Sequence, residues 1–374
     1  MGYEKYQQPR NCSWFVHFPC RIQRFGANRW QICGDTIMKK VLVFIFPLLL
    51  FGQYRSIPDV VTKVATSAGS FLKLETSARA IGMGGSHVAS GRGVSGIPYN
   101  PSSIAFIEKR EAYFSQVNYL AGIKHGVLTY GTRLGPSDFI GLHLFYLDSG
   151  PMEVTTEIFP DGTGENFHVL SLAARATYAR SLTDRLKVGG SINYIRDRIA
   201  ETDMQTVSYD IGSNFDTGIY GTILGMSITN FGPDVQYKGE DLSVQVADTI
   251  DVDGSLQRIT DKFPLPLTFR LGIENSVLGP EGSFIKNENQ TLIISADGIK
   301  SNDYIVYGSM GAEYGWKQMY FLRAGSHLNH DTAGLSLGAG ANIRLGRMML
   351  TVDYAYVDYD LLNSTNQFAI SLKF

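Results

Sequence analysis

From about residue 110 to Phe374 the chain alternates apolar and polar positions in segments of about ten residues, with short turns between them. In the last segment Phe368, Ile370, Leu372 and Phe374 share one face, while Ala369, Ser371 and Lys373 share the other. Between Leu265 and Glu274, the face Leu265, Leu267, Phe269, Leu271 and Ile273 opposes Thr268, Arg270, Gly272 and Glu274. Tyr320, Leu322 and Ala324 oppose Arg323, Gly325 and His327; Leu186, Val188, Ile192 and Tyr194 oppose Lys187, Gly189, Ser191 and Asn193. Period two with one apolar and one mixed face predicts strands half-exposed to an apolar phase. About fourteen are expected, starting near residues 110, 124, 138, 167, 184, 206, 221, 265, 290, 303, 317, 332, 347 and 366. A tilted strand of about 9–11 residues crosses a bilayer. An even number lets the sheet close, which removes the unpaired edges that hydrocarbon does not tolerate.

The connections support the same expectation. If the first strand runs outward, the two longest connections, about 149–166 and 232–264, fall on one side, the cell exterior. Most turns on the opposite side are short: Gly135 to Ser137, Ser181 to Asp184, Tyr314 to Gly315. Long outer loops and short periplasmic turns are the outer-membrane barrel pattern. The stretch near 278–289 is inner yet long, and marks the place where the strand count is open to error.

A soluble β-sandwich, propeller or lectin would also alternate. Three features favour the membrane barrel. Aromatics on the apolar face sit near strand ends (Tyr146, Tyr178, Tyr194, Tyr354, Tyr356), where interface girdles lie. The opposite face is polar and glycine-rich rather than a second core. The closing strand, with Phe368, Ile370, Leu372 and Phe374 outward, is expected to be the one that the barrel assembly machinery inserts into outer-membrane lipid.

Composition narrows the class further. Of 374 residues, 44% are hydrophobic, 12% aromatic and only 18% charged, which excludes disorder. No run approaches the ~18 apolar residues of a spanning helix. A net charge of −2 without a basic run argues against nucleic acid as a partner.

The first residues differ from the rest. Cys12, Cys20 and Cys33 are the only cysteines, and Trp14 and Trp30 are two of three tryptophans. Met38, Lys39 and Lys40 then precede an apolar run from Val41 to Phe51, the form of a secretory signal peptide. Cys12, His17, Cys20 and Cys33 could make a small metal or redox segment, but their spacing fits no zinc pattern. Residues 1–37 are therefore expected to be an upstream extension assigned by an early start, with 38–52 the signal peptide. The exported remainder lacks cysteine and carries 26 basic and 33 acidic residues.

Residues 53–106 are expected to form a compact hatch or plug, and 107–374 the barrel. The stretch from Ala78 to Ile81 leads into Gly82, Met83, Gly84 and Gly85, then Gly91, Gly93 and Gly96, then Tyr99, Asn100 and Pro101. Glycine at this density permits tight turns with positive φ, and Asn-Pro followed by serines signals a turn or cap. No lysine follows to make a phosphate loop. A wide barrel without a plug would leak.

ARAIGMGGSHVASGRGVSGIPYNPSSIA, residues 78–105, resembles the N-terminal hatch signature of the PorV/PorQ family, itself similar to FadL-type fatty-acid channels. Gly82, Met83, Gly84, Gly85, Asn100 and Pro101 match its motifs. Tyr99 replaces a tryptophan, Ser102 and Ser103 an Ala-Gly pair, and Arg92 stands where acidic residues are usual. SFLKLETSARA (70–80), YARSLTDRLKVGGSINYIRDRI (178–199) and FPLPLTFRLGI (263–273) resemble the same family. The resemblance implies a FadL-like barrel in the outer membrane of a diderm bacterium, associated with type IX protein secretion. Its components and cargo with a C-terminal sorting domain are then the implied partners.

Catalysis is not expected. His143 or His168 with Ser171 or Ser149 could suggest a hydrolase, yet no G-x-S-x-G elbow occurs. Asp248, Asp251, Asp253 and Gly254 begin a calcium-like pattern that lacks its closing glutamate. Asp161 to Glu165 reads as a flexible turn. No cofactor or metal is predicted. Arg175, Arg270, Glu274 and Arg323 are expected to face the lumen, where charge holds a plug or shapes a polar path. The expected function is handling of secreted cargo at the cell surface. The alternative is a channel for hydrophobic molecules whose hatch opens near Asn100 and Pro101.

Overall fold

Arg110 and Phe374 lie side by side at a seam: the amide of each donates to the carbonyl of the other, at 3.2 and 3.1 Å. This seam closes a single antiparallel sheet, seen in a computed structural model that describes residues 63–246, 254–257, 259–280, 282–330, 334–359 and 363–374. The expected upstream extension, signal peptide and Asp248, Asp251 and Asp253 lie outside the described residues.

The barrel strands are β1 (Arg110–Asn118), β2 (Lys124–Arg133), β3 (Asp138–Asp148), β4 (Val169–Ser181), β5 (Leu186–Ile199), β6 (Thr202–Asp216) and β7 (Thr222–Phe231). The ring continues through β8 (Thr268–Gly279), β9 (Gln290–Ser301), β10 (Tyr307–Trp316), β11 (Tyr320–Leu328), β12 (Leu335–Leu345), β13 (Met348–Asp358) and β14 (Ser364–Lys373). Each pairs antiparallel with its successor. β14 returns to β1, from Glu111 opposite Lys373 to Asn118 opposite Asn366. The fourteen-strand all-β barrel is thus the architecture that the alternation predicts.

The two faces separate by parity. Leu128, Leu142, Leu172, Ile192, Leu322 and Phe368 are exposed on the outer wall, where hydrocarbon takes the place of a protein core. The closing strand presents Phe368, Ile370 and Phe374 the same way. Ser115, Thr129, Asn193, Ser227, Ser309 and Ser371 are buried on the inner face.

At the end that carries the seam, connections of four residues or fewer follow β2, β4, β10 and β12; the other end holds the long ones, 149–168 and 232–267, along with the two-residue turn 200–201 after β5. By the rule of short periplasmic turns, these are the turn end and the loop end.

Two details differ from the alternation, and one open point is resolved. Leu265 and Leu267 precede β8 rather than extend it. Pro264 and Pro266 interrupt the ladder there, and Leu265 turns into the core. Tyr314 and Gly315 lie within β10, and the turn is 317–319. The long inner stretch hides no miscounted crossing. Ile285–Lys286 runs parallel beside Leu278 and Gly279, and β8 pairs directly with β9.

Candidate functional site: the segment inside the barrel

Residues 63–107 contact the inner faces of strands around the ring, through a five-residue helix, α1 (Ala78–Gly82), and short 3-10 turns at Ser70–Lys73, Val94–Gly96 and Pro101–Phe106. The chain enters beside the loop end, where the Ala68 amide donates to the Pro264 carbonyl at 3.0 Å. It leaves at the turn end into β1.

α1 has a defined start and stop. The Ser77 side chain accepts from the Ala80 amide at the N-terminus. At the other end the Gly85 amide donates to Ala80 O at 2.8 Å and the Gly84 amide to Ile81 O at 2.9 Å. These two bonds form a Schellman motif, with Gly84 at φ 63° in the left-handed position that glycine occupies without penalty. Gly82, Met83, Gly84 and Gly85 are therefore a helix stop.

The stop is also a docking surface. A Cβ on Gly84 would lie 2.9 Å from the Met310 carbonyl oxygen. One on Gly325 of β11 would collide with the Met83 and Gly84 backbone, and one on Gly225 of β7 would sit 2.5 Å from Val88 O. The glycines of the inner wall let the segment's backbone pack directly on the sheet.

Tyr99, Asn100 and Pro101 form the second anchor. The Asn100 Oδ1 accepts from the Ser102 amide at 3.1 Å and the Ser102 hydroxyl at 2.8 Å, while Nδ2 donates to Val88 O and Ser213 O, both at 3.0 Å. Pro101 takes the first turn position, which needs no N–H. The Tyr99 hydroxyl accepts from the Thr76 amide at 3.2 Å, and its backbone oxygen accepts from the Ser227 hydroxyl at 2.7 Å. Burial pushes the Tyr99 phenol well above its ordinary pKa.

Charge fastens the segment. Arg79 of α1 grips Glu313 of β10 with two bonds, Nε at 2.8 Å and Nη2 at 2.9 Å, and gives Nη1 to Ser90 O at 2.6 Å. Glu313 also accepts from Arg323 Nε of β11 at 2.6 Å, and Arg323 reaches Asp353 of β13 at 2.6 Å. The result is an alternating chain, Arg79–Glu313–Arg323–Asp353, in which each buried carboxylate answers a guanidinium. Asp297 of β9 accepts from the amides of His87 and Val88 at 2.7 and 2.9 Å. Arg92 pairs with Glu274. Lys73 pairs with Asp303 at 2.7 Å near the loop end. Burial, then the Arg79 charge, holds the His87 imidazole well below its ordinary pKa and thus neutral.

Arg175, Arg270, Glu274 and Arg323 all lie on the inner face, but they do not form one site. Arg175 faces Asp210 at 3.5 Å, and Arg270 donates to Thr229 at 2.9 Å. Sequence reasoning omitted Arg79, Glu313, Asp353 and Asp297. A charge at mid-strand on the polar parity was their available signal.

The suggested hydrolase residues are not assembled. His143 stands opposite Arg175 in the register, whereas Ser171 stands opposite Leu147, four residues or roughly 13 Å further along the strand. The Ser171 hydroxyl donates to Asp197 at 2.7 Å. His168 and Ser149 sit on the outer loop, with His168 at 3.4 Å from Asp148. Gly162 and Thr163 turn back onto Phe159 and Val154. Among the described residues no three metal-ligating side chains stand together.

A closed fourteen-strand sheet with an apolar outer wall, and a lumen occupied by the chain's own N-terminal segment, defines an outer-membrane β-barrel. A sequence profile of the family described as "Type IX secretion system protein PorV" matches residues 58–263. That is more than half of the chain, and the chain belongs to this family. No protein with a curated description matches in sequence. In fold the chain is similar to the toluene transporter TodX of Pseudomonas putida (TM-score 0.50, 12% identity, 80% of this chain and 97% of that one). It is likewise similar to the toluene transporter TbuX of Ralstonia pickettii (0.50, 12%, 80% and 98%). A third similar structure is the CymD monoaromatic hydrocarbon channel (0.52, 14%, 79% and 96%). At such identities the likeness is one of fold.

Proposed function

We propose that this barrel is a non-catalytic accessory of type IX secretion. It receives exported proteins at its loop end and passes them to a surface attachment step, with the internal segment as a fixed hatch. The tip of the 149–168 loop carries this reading. Ile158 and Phe159 stand 81% and 57% exposed among the carboxylates Glu153, Glu157 and Asp161, and large apolar side chains presented on a polar rim serve a partner. The buried charge chain from Arg79 to Asp353 supports a hatch that stays in place.

The fold shared with monoaromatic hydrocarbon channels favours a second reading, uptake of an apolar molecule past a hatch that opens near Asn100. A gentle pull-down of tagged protein from its native outer membrane, analysed for proteins and lipids, separates the two. Secreted proteins sharing a C-terminal sorting domain, lost in the I158S/F159S variant, are the expected result. An empty protein list with a bound apolar molecule would replace the first reading by the second.

A further inference from the structure

The outer wall is not uniformly convex. Across β2 to β6, in the half nearer the turn end, lies a groove of about 960 Å³. Its floor is low because two outward positions are small. Ala176 lies between Leu142 and Ile192, and Gly190 between Tyr178 and Ile211. The larger neighbours form the walls. At the turn-end rim, Arg180 faces Asp138 at 3.6 Å and the Tyr178 hydroxyl donates to Asp138 at 2.6 Å, so the rim is neutral.

A second pocket, of about 500 Å³, adjoins it at the turn end beneath the seam. It is lined by Glu108, Lys109, Arg110, Arg133 and Phe374 among others, and Thr132 lines both cavities. This pocket is charged and lopsided: three cationic side chains, Lys109, Arg110 and Arg133, meet the Glu108 carboxylate and the main-chain terminus at Phe374. Arg133 is held in place by carbonyls, donating from Nε to Gly135 O at 2.8 Å and from Nη2 to Pro136 O. Carbonyl bonds orient a guanidinium without neutralising it, and neither Lys109, Arg110 nor Arg133 pairs with a carboxylate among the described residues. An apolar trough in the hydrocarbon zone thus shares a wall, at Thr132, with a positively biased pocket at the turn end, on the periplasmic side of the membrane.

We propose that these two neighbouring cavities hold one anionic glycerophospholipid of the periplasmic leaflet. Its phosphate sits among Lys109, Arg110 and Arg133, and an acyl chain lies over Ala176 and Gly190. The geometry asks for both parts of the molecule. A free phosphate leaves the trough empty, and a lipid without net charge leaves the pocket's excess of positive charge unanswered. Basic side chains at a leaflet surface attract anionic lipid, and a groove of this volume is of ligand size.

The test uses the full barrel, stripped of lipid in detergent and titrated by native mass spectrometry with phosphatidylglycerol, phosphatidylcholine and inorganic phosphate. Saturable binding of one phosphatidylglycerol is expected, with phosphatidylcholine weaker and phosphate unable to displace it. Ala176→Phe, which fills the floor, should abolish that binding. Ala174→Phe, on the same strand and face but outside the groove, should not. The double variant R110Q/R133Q should bind about thirtyfold more weakly, the effect of two lipid-facing charges.

Gly190→Val is a second floor variant in case Ala176→Phe fails to fold. A Cβ there meets only the Asp210 carbonyl oxygen, at an ordinary 3.5 Å. Heat-modifiable gel mobility reports folding for each. Equal binding of both lipids, or equal loss in Ala174→Phe and Ala176→Phe, would reduce the groove to ordinary annular contact and overturn the proposal. Displacement by phosphate alone would overturn it in favour of a simple anion site.

Discussion

Arg79 and Glu313, 234 residues apart in the chain, form a two-bond ion pair between the internal helix and the barrel wall. Glu313 is buried and serves Arg323 as well. One carboxylate thus compensates two guanidinium groups.

Glu313→Gln is therefore expected to cost about 3–5 kcal/mol, the usual effect of removing one member of a buried ion pair. Asp353→Asn should cost less, since it removes only the Arg323 Nη1 bond. Urea unfolding of the refolded barrel in detergent checks the order. Equal losses would show that the shared carboxylate is not the centre of the network.

Backbone packing at the helix stop makes a separate prediction. Gly325→Leu places a side chain where the Met83 and Gly84 backbone lies, so the internal segment must shift while the sheet stays paired. Conductance in planar bilayers should rise above that of the parent protein. Gly298→Ala is the control, because a Cβ there meets nothing nearer than 3.9 Å.

Acid should loosen the segment near the loop end. Burial works against the Asp303 carboxylate, but the Lys73 ammonium at 2.7 Å and the Ser301 hydroxyl at 2.6 Å hold its pKa below the ordinary value. A carboxylate lowered in the folded state stabilises it fully above the unfolded value of about 3.9, and that contribution fades as pH falls through the lowered one. A nitroxide on Ser70→Cys should therefore gain mobility below about pH 4. In Asp303→Asn it should be mobile already at neutral pH.

A non-catalytic barrel should tolerate loss of the suggested hydrolase residues. His143→Ala with Ser171→Ala is expected to leave surface attachment of secreted proteins unchanged. Removing the Ser171 to Asp197 bond should lower stability by about 1 kcal/mol. Loss of attachment in a variant that folds normally would restore a chemical role.

Much of the barrel was legible before any coordinates, because side-chain parity is a local property of extended chain. It placed the fourteen strands, assigned Phe269, Leu322 and Phe368 to the outer wall and put Arg323 and Glu274 inside. It slipped at Leu265 and Leu267, where apolar alternation continues but Pro264 and Pro266 stop the ladder. The glycine run at 82–85 likewise announced a turn.

Only the tertiary structure decided what those residues meet. Parity states a side chain's face and is silent about its partner across a lumen. Neither the choice of Glu313 for Arg79 nor the seating of Met83 against Gly311 and Gly325 was readable. Asn100 likewise finds Ser213 only because the closed ring brings β6 to it. Local geometry repeats along the chain and can be read from it, whereas the contacts that fasten the segment exist only after the sheet has closed.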